Sequence, residues 1–411
     1  MSQSKTYSWT VVAMLWLVAL LNYMDRQILS TMKNLMQSEI IELQSATYFG
    51  YLMAIFLWVY GLMSPFSGII ADRLNRKYLI VGSLFVWSTI TLLMSYAQSF
   101  SQLYVLRATM GVSEALYIPA ALSLIADYHD TKTRSLAIGL HMTGLYMGQA
   151  LGGFGATIAA HYSWQHIFFM LGLIGIVYSF VLIFFLKEIR TKEIISTSSG
   201  KNIDETKVAV NLNTLFKNPS FWLMLIYFTI PSLPGWGVKN WLPTLFAENL
   251  SIKMELAGPI STVTTAGSSF LGVIFGGIIS DKWVQKNIKG RIYTSAIGLA
   301  LTVPALLLIG LGHSMINVLG AAFCFGFGFG MFDANNMPII CQLISPKQRA
   351  TAYGFMNMTG VFAGAIITNF LGKSTDGGHL GRDFAVLSGF VLIAIMMQLY
   401  FLRPELKSFE Q

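Results

Sequence analysis

Six charged residues stand inside long apolar runs of this sequence: Asp25, Arg26, Arg107, Glu114, Lys239 and Asp333. A charge at the centre of a hydrocarbon layer costs about 2.5–3.5 kcal/mol even on permissive scales, so each one calls for a partner or a function. Arg107 and Glu114 are seven residues apart, which on an α-helix puts them on one face but roughly 10 Å apart along the axis. That is too far for them to pair with each other. They are expected to face Asp25 and Arg26, which offer one charge of each sign. A carboxylate beside an arginine that can move away is a proton-binding device, because the nearby base favours the charged form and its loss in apolar surroundings favours the protonated one. Two salt bridges that only staple helices together are the alternative.

Lys239 follows Pro231 and Pro234, which weaken the helix before it. A lysine on an interrupted helix suits an anion site, although it can also extend its head group to the interface. Asp333 and Asn336 belong to an unusually polar stretch, Asp333-Ala334-Asn335-Asn336, that follows Gly326, Gly328 and Gly330. Both are candidates for substrate contact or for hydrogen bonds between helices. Tyr23 and Tyr146 are candidate cavity-lining aromatics, and His141 reads as a core histidine, with a hydrogen-bond donor to substrate as the alternative. No His–Glu pair with metal-ligand spacing and no nucleophile–base constellation is found, so neither an enzyme nor a bound metal or cofactor is expected. The nearest string to a phosphate-binding loop, Gly372-Lys373-Ser374, lacks the glycine five residues before Gly372, which argues against an ATP-driven pump.

These residues need helices in a membrane to position them. Of 411 residues, 54% are hydrophobic and 11% charged, against about a quarter charged in a soluble domain. Apolar runs long enough to cross a bilayer are expected at 9–32, 47–71, 78–97, 100–126, 134–160, 164–187, 219–247, 255–280, 292–312, 315–344, 349–372 and 382–403. The first lacks a small-residue cleavage site and is read as a retained helix. With both termini in the cytoplasm, most of the 27 lysines and arginines fall on the cytoplasmic side, the positive-inside pattern. The net charge of +8 therefore reflects topology and gives no reason to expect a nucleic-acid partner. Cys324 and Cys341 lie on one expected helix, about 25 Å apart, beyond disulfide reach.

The chain divides into 1–187, a polar linker at 188–218, and 219–411, with matching patterns in the two halves. Gly68-Ile69-Ile70-Ala71-Asp72-Arg73, continued by Leu74-Asn75-Arg76-Lys77, corresponds to Gly277-Ile278-Ile279-Ser280-Asp281-Lys282. Arg134-Ser135-Leu136-Ala137-Ile138-Gly139 corresponds to Arg349-Ala350-Thr351-Ala352-Tyr353-Gly354, with Pro119 and Pro338 upstream. Two coincidences at equivalent places argue for duplication. In the first pattern an Asp and basic residues at a tight turn, Asp72, Arg73, Arg76 and Asp281, can form a lock in one conformation and release it in another. Gly144, Gly148 and Gly152, four apart, form a stripe that another backbone can approach.

Glycine, three residues, Asp72-Arg73 and then Arg76-Lys77 resembles the signature loop of the major facilitator superfamily, with Asn75 where that family usually has a second glycine. The resemblance implies an all-α fold of twelve transmembrane helices in two six-helix bundles that rock about a central site. Asn22-Tyr23-Met24-Asp25-Arg26, Arg107, Glu114 and Pro119-Ala120-Ala121-Leu122 resemble the superfamily's anion:cation symporters, which include sugar-acid carriers. That resemblance implies proton coupling at Asp25 and Glu114, and substrate anchoring or carboxylate pairing at Arg26 and Arg107. Trp241-Leu242-Pro243-Thr244 and Asn357 also resemble features of this group, and Asn357 would bond substrate hydroxyls. The same Tyr23-to-Arg26 string, with Ser113-Glu114-Ala115-Leu116-Tyr117 and Ile125-Ala126-Asp127, is similar to the Spinster family, which is associated with lysolipids and sphingoid lipids. The expectation is a monomeric secondary carrier in the cell's inner membrane, with a small anionic substrate, protons and the lipid bilayer as partners.

Overall fold

The computed structural model describes residues 5–129, 133–188, 215–344 and 349–402, and excludes the side chains of Lys5, Asp72, Arg73, Ser135, Arg349 and Ala350. Among the described residues all regular structure is helical. The membrane-length elements are α1 (Lys5–Ile28), α2 (Ala46–Arg73), α3 (Arg76–Met94), α4 (Phe100–Tyr128), α5 (Arg134–Gly152), α6 (Trp164–Phe185), α7 (Pro219–Asn249), α8 (Met254–Val284), α9 (Gly290–Leu311), α10 (Met315–Leu343), α11 (Arg349–Asp376) and α12 (Leu380–Phe401). Their bounds agree with the apolar runs to within a few residues, except that the run expected at 134–160 ends as α5 at Gly152 and is followed by a separate short helix, Gly155–Ala159. Most of the linker expected at 188–218 lies outside the described residues.

Eleven of these helices are long and apolar enough to cross a membrane. The exception is α5, whose glycines, Thr143, His141 and Gln149 dilute its apolar content. It can be less apolar because it packs between α1 and α8 and meets protein on both sides. Its glycine stripe lies on the α1 backbone: a Cβ at Gly144 would meet the Trp16 carbonyl at 2.6 Å, one at Gly148 the Leu20 carbonyl, and one at Gly152 the Met24 carbonyl at 3.0 Å. Large apolar side chains such as Phe184, Phe185, Ile316 and Tyr400 point outward, an arrangement that fits a hydrocarbon surround and would be costly in water.

The packing repeats. In the first six helices α1 lies on α5, α2 on α4 and α3 on α6; in the second six α7 lies on α11, α8 on α10 and α9 on α12. Two helices are broken at equivalent places. α4 breaks at Leu116, between the segments ending at Ala115 and starting at Tyr117, and α10 breaks at Ala334 and Asn335. In each case a proline follows, Pro119 or Pro338, whose missing N–H and ring clash act on the carbonyl four residues back, that of Ala115 or Ala334.

The two sets of helices meet at the end of the bundle opposite the termini. There Asp376, the last residue of α11, accepts hydrogen bonds from Ser45 Oγ (2.6 Å), Ala46 N–H (2.6 Å), Thr47 N–H (2.9 Å) and Thr47 Oγ1 (2.7 Å). It thus caps α2 from the other half of the chain, where a carboxylate suits both the unpaired N–H groups and the helix dipole. Thr157 Oγ1 donates to the Glu255 carbonyl at 2.5 Å, and Gly153 and Gly258 bring α5 and α8 into backbone contact. Towards the termini the last polar link is Asn357 Nδ2 to Ser64 Oγ at 3.1 Å. Beyond it no hydrogen bond or ion pair joins the halves among the described residues. A leucine at Gly148 would drive atoms into the Leu20 backbone, and such overpacking typically costs about 1–3 kcal/mol. Gly148→Leu should therefore lower the thermal unfolding temperature of the purified protein in detergent by several degrees; an unchanged temperature would contradict this packing.

Candidate functional site: buried charges between the two halves

The first cluster is built from α1 and α4. Arg26 Nε lies 2.5 Å from Glu114 Oε2, with Glu114 fully buried. The pair sits in an aromatic box, since the Arg26 guanidinium carbon is 4.5 Å from the centre of the Tyr60 ring and 5.0 Å from those of Tyr23 and Phe56. The same Phe56 ring is 4.8 Å from the guanidinium of Arg107. Such cation–π contacts stabilise a cation away from water. Close packing of α4 on α2 makes the box possible, because a Cβ at Gly111 would meet the Phe56 carbonyl at 2.8 Å.

Of the two cross-helix pairs expected between α1 and α4, Arg26–Glu114 forms and Asp25–Arg107 does not. Asp25, 5% exposed, accepts instead from Thr91 Oγ1 of α3 at 3.2 Å. Arg107 donates from Nη1 to the Met110 sulfur at 3.4 Å. Glu114 Oε1, Arg26 Nη2 and Arg107 Nε are buried and make no hydrogen bond of good geometry among the described residues, with the Asn22 amide beside Glu114. Buried polar atoms in native proteins nearly always have partners, so a group of unpaired ones marks a place suited to a proton or to a polar ligand.

The second cluster comes from α7 and α10. The Lys239 ammonium stands 4.9 Å from the Trp236 ring and, among the described residues, forms no ion pair within 4.0 Å. Asp333 accepts from Asn336 Nδ2 at 3.2 Å, and Asn336 Oδ1 lies 3.4 Å from the Tyr227 hydroxyl. Asp333 is near enough to act electrostatically on Lys239, Tyr23, Tyr146 and Tyr353, so polar groups of α1, α5, α7, α10 and α11 converge on one central region. Tyr146 also reaches across the halves, its ring 6.1 Å from that of Phe270 on α8. Asn357 bridges to Ser64 as described.

The four residues expected to form a lock lie at the end nearest the termini. Arg76 Nη1 pairs with Asp127 Oδ2 of α4, and Asp281 Oδ1 accepts from Arg291 Nη2 at 3.1 Å. Both pairs stay within one half. The side chains of Asp72 and Arg73 lie outside the described residues. Phe56, Tyr60 and Thr91 were not singled out in the sequence, where an apolar or hydroxyl residue on a membrane helix carries no distinguishing signal. The i, i+4 spacing of Phe56 and Tyr60 is visible only in hindsight of the arginine they surround.

This fold and its charged centre are those of a membrane transporter, and residues 15–368 match the model of the Major Facilitator Superfamily. The chain belongs to that superfamily and is a multi-pass transporter. It is 23% identical to the hexuronate transporter of Bacillus subtilis (strain 168), covering 96% of this chain and 94% of the relative. It is 27% identical to the cis,cis-muconate transport protein of Acinetobacter baylyi, over 83% and 81% of the two chains. Protein spinster of Drosophila melanogaster is 26% identical over 84% of this chain and 58% of its own length. In three dimensions the chain is similar to a bacterial homologue of the human lysosomal transporter Spinster in an inward-facing, occupied conformation, with a TM-score of 0.80, 19% identity and 98% of each chain covered.

Removing one partner of a buried ion pair leaves an uncompensated charge and typically costs about 3–5 kcal/mol. Arg26→Met should accordingly destabilise the protein, and adding Glu114→Gln should restore most of the loss. Denaturant or thermal unfolding of the single and double variants checks this; additive losses would contradict a direct Arg26–Glu114 pair.

Proposed function

We propose that this transporter works by alternating access and couples a small organic anion of the sugar-acid kind to protons. The observation that carries the reading is the Arg26–Glu114 ion pair. Arg26 is a natural anchor for a substrate carboxylate, but while Glu114 is ionised that anchor is occupied. Protonation of Glu114 removes its charge and frees the guanidinium, so loading a proton and binding an anion favour each other. Linkage of this kind is reciprocal.

Asp25 is the second proton-coupling carboxylate, held by Thr91 and not by a base. From the opposite side Lys239 anchors the anion as a cation with no ion-pair partner among the described residues, and Arg107 adds positive charge to the first half. Asp333, Asn336, Tyr23, Tyr146 and Asn357 supply donors and acceptors for substrate hydroxyls. Relatives named for hexuronate, muconate and galactarate/D-glucarate transport support an organic acid.

The protein acts as a monomer in the inner membrane with both termini in the cytoplasm. In that orientation the end joined through Asp376 and Thr157 faces outside, and the end nearest the termini, beyond the Asn357–Ser64 link, faces the cytoplasm. Asp72, Arg73, Arg76 and Asp281 belong to the opposite, cytoplasmic lock, which re-pairs across the halves when the outside opens.

Proteoliposomes with an imposed pH gradient test the proposal against hexuronates, aldarates, muconate and lysolipids. Gradient-dependent accumulation of an acid is expected; lysolipid movement without accumulation of any acid would sink the proposal. Glu114→Gln should abolish accumulation while sparing substrate exchange, and equal loss of both would remove Glu114 from coupling. Lys239→Met should raise the KM for the anion by about thirtyfold, in line with the loss of a buried charge partner; an unchanged KM would exclude Lys239 as an anchor.

A further inference from the structure

Three prolines, Pro231, Pro234 and Pro243, lie inside α7. A proline has no N–H, so the carbonyl four residues before it loses its donor in the helix ladder. For Pro243 that carbonyl is the one on Lys239. It is not left bare: Gln27 of α1, in the other half of the chain, donates to it from Nε2 at 2.9 Å. Gln27 is 6% exposed and firmly placed. Its Nε2 also donates to Ser30 Oγ at 2.8 Å, Ser30 Oγ donates back to the Gln27 carbonyl at 2.7 Å, and its Cβ packs where Gly152 of α5 leaves room.

The bond has an unusual location. Gln27 follows Arg26, the partner of Glu114, while its acceptor is the backbone of the lysine assigned above to the anion. The link therefore joins the neighbour of the proton site to the anchor of the substrate, across the seam that parts if the end opposite the termini opens. The Lys239 carbonyl has a protein donor in the closed state, and separation of α1 from α7 takes that donor away.

We propose that Gln27 is a positioning residue that stands in for the N–H missing at Pro243, so that closure of the outer end is favoured by satisfying the Lys239 carbonyl and sets the Lys239 side chain for the anion. The inference rests on the alternating-access reading. Closure at this point depends on a defect built into α7, and repairing the defect makes Gln27 dispensable.

The experiment uses the full chain in proteoliposomes with Cys324→Ser and Cys341→Ser, spin labels at Ser38→Cys and Glu248→Cys, and distances measured by electron–electron double resonance. A net hydrogen bond corresponds to about fivefold in an equilibrium, so Gln27→Met should raise the ratio of open to closed outer end by about that factor. Pro243→Ala returns an N–H to the ladder, and in that background Gln27→Met should leave the ratio almost unchanged. The same shift in both backgrounds, or none in the presence of Pro243, overturns the proposal. If Pro243→Ala does not fold, Gln27→Glu takes its place. Its carboxyl group can donate only when protonated, so the ratio of opening in Gln27→Glu to that in Gln27→Met should rise with pH; profiles that run parallel in the two variants overturn the proposal. An outer end that never opens in the parent under any gradient or acid defeats the alternating-access reading and this inference together, whereas opening that ignores Gln27 defeats this inference alone.

Discussion

The Arg26–Glu114 pair is the constraint on which the rest of the centre depends. Two opposite charges are held 2.5 Å apart, Glu114 fully buried and Arg26 nearly so, where separating them is costly unless another charge or a proton intervenes. The surroundings serve that pair. Tyr60, Tyr23 and Phe56 give the guanidinium aromatic faces. Gly111 lets α4 approach α2 closely enough to form the box, and the α5 glycines press α5 onto α1, which carries Arg26. Glu114 Oε1 and Arg26 Nη2 make no hydrogen bond of good geometry among the described residues. The pair is thus strong enough to persist yet incompletely satisfied, a condition a proton or a carboxylate can exploit.

Prolines shape the helices around this pair. Pro119 and Pro338 break α4 and α10 at equivalent positions. In α10 the break includes Asn335, whose Nδ2 donates to the Met331 carbonyl at 2.8 Å, and is followed by Asn336, which holds Asp333. Non-helical backbone at this depth is tolerated only where protein or a polar cavity satisfies it, so the breaks and the polar residues beside them belong together. Pro243 is handled differently, by a side chain from the other half. The link between halves at Asp376 follows similar logic, since the N–H groups that begin α2 are satisfied by a carboxylate on α11.

Much of this was legible in the sequence, for definite reasons. The apolar runs gave the helix positions because lipid leaves the chain little choice. Gly144, Gly148 and Gly152 pointed to a close approach because their spacing leaves no other shared feature. Arg107 and Glu114, seven apart, indicated partners on α1, and Glu114 has one. Other features depended on three-dimensional facts that spacing does not carry. Asp25 turns to Thr91 because α3 packs beside α1, a neighbour that charge pairing alone does not reveal. Phe56 and Tyr60 look like any membrane aromatics until an arginine stands between them. Arg76 and Asp281 find partners in Asp127 and Arg291 within their own halves, which follows from the conformation and not from the motif.

The central claim is that a proton on Glu114 and an anion near Arg26 arrive together. Its most direct measurement is proton uptake when the identified substrate binds to the purified protein in weakly buffered solution, near neutral pH. The account predicts net uptake on binding by the parent protein and a clear reduction in Glu114→Gln. Binding without proton uptake, or uptake unchanged by Glu114→Gln, would contradict it.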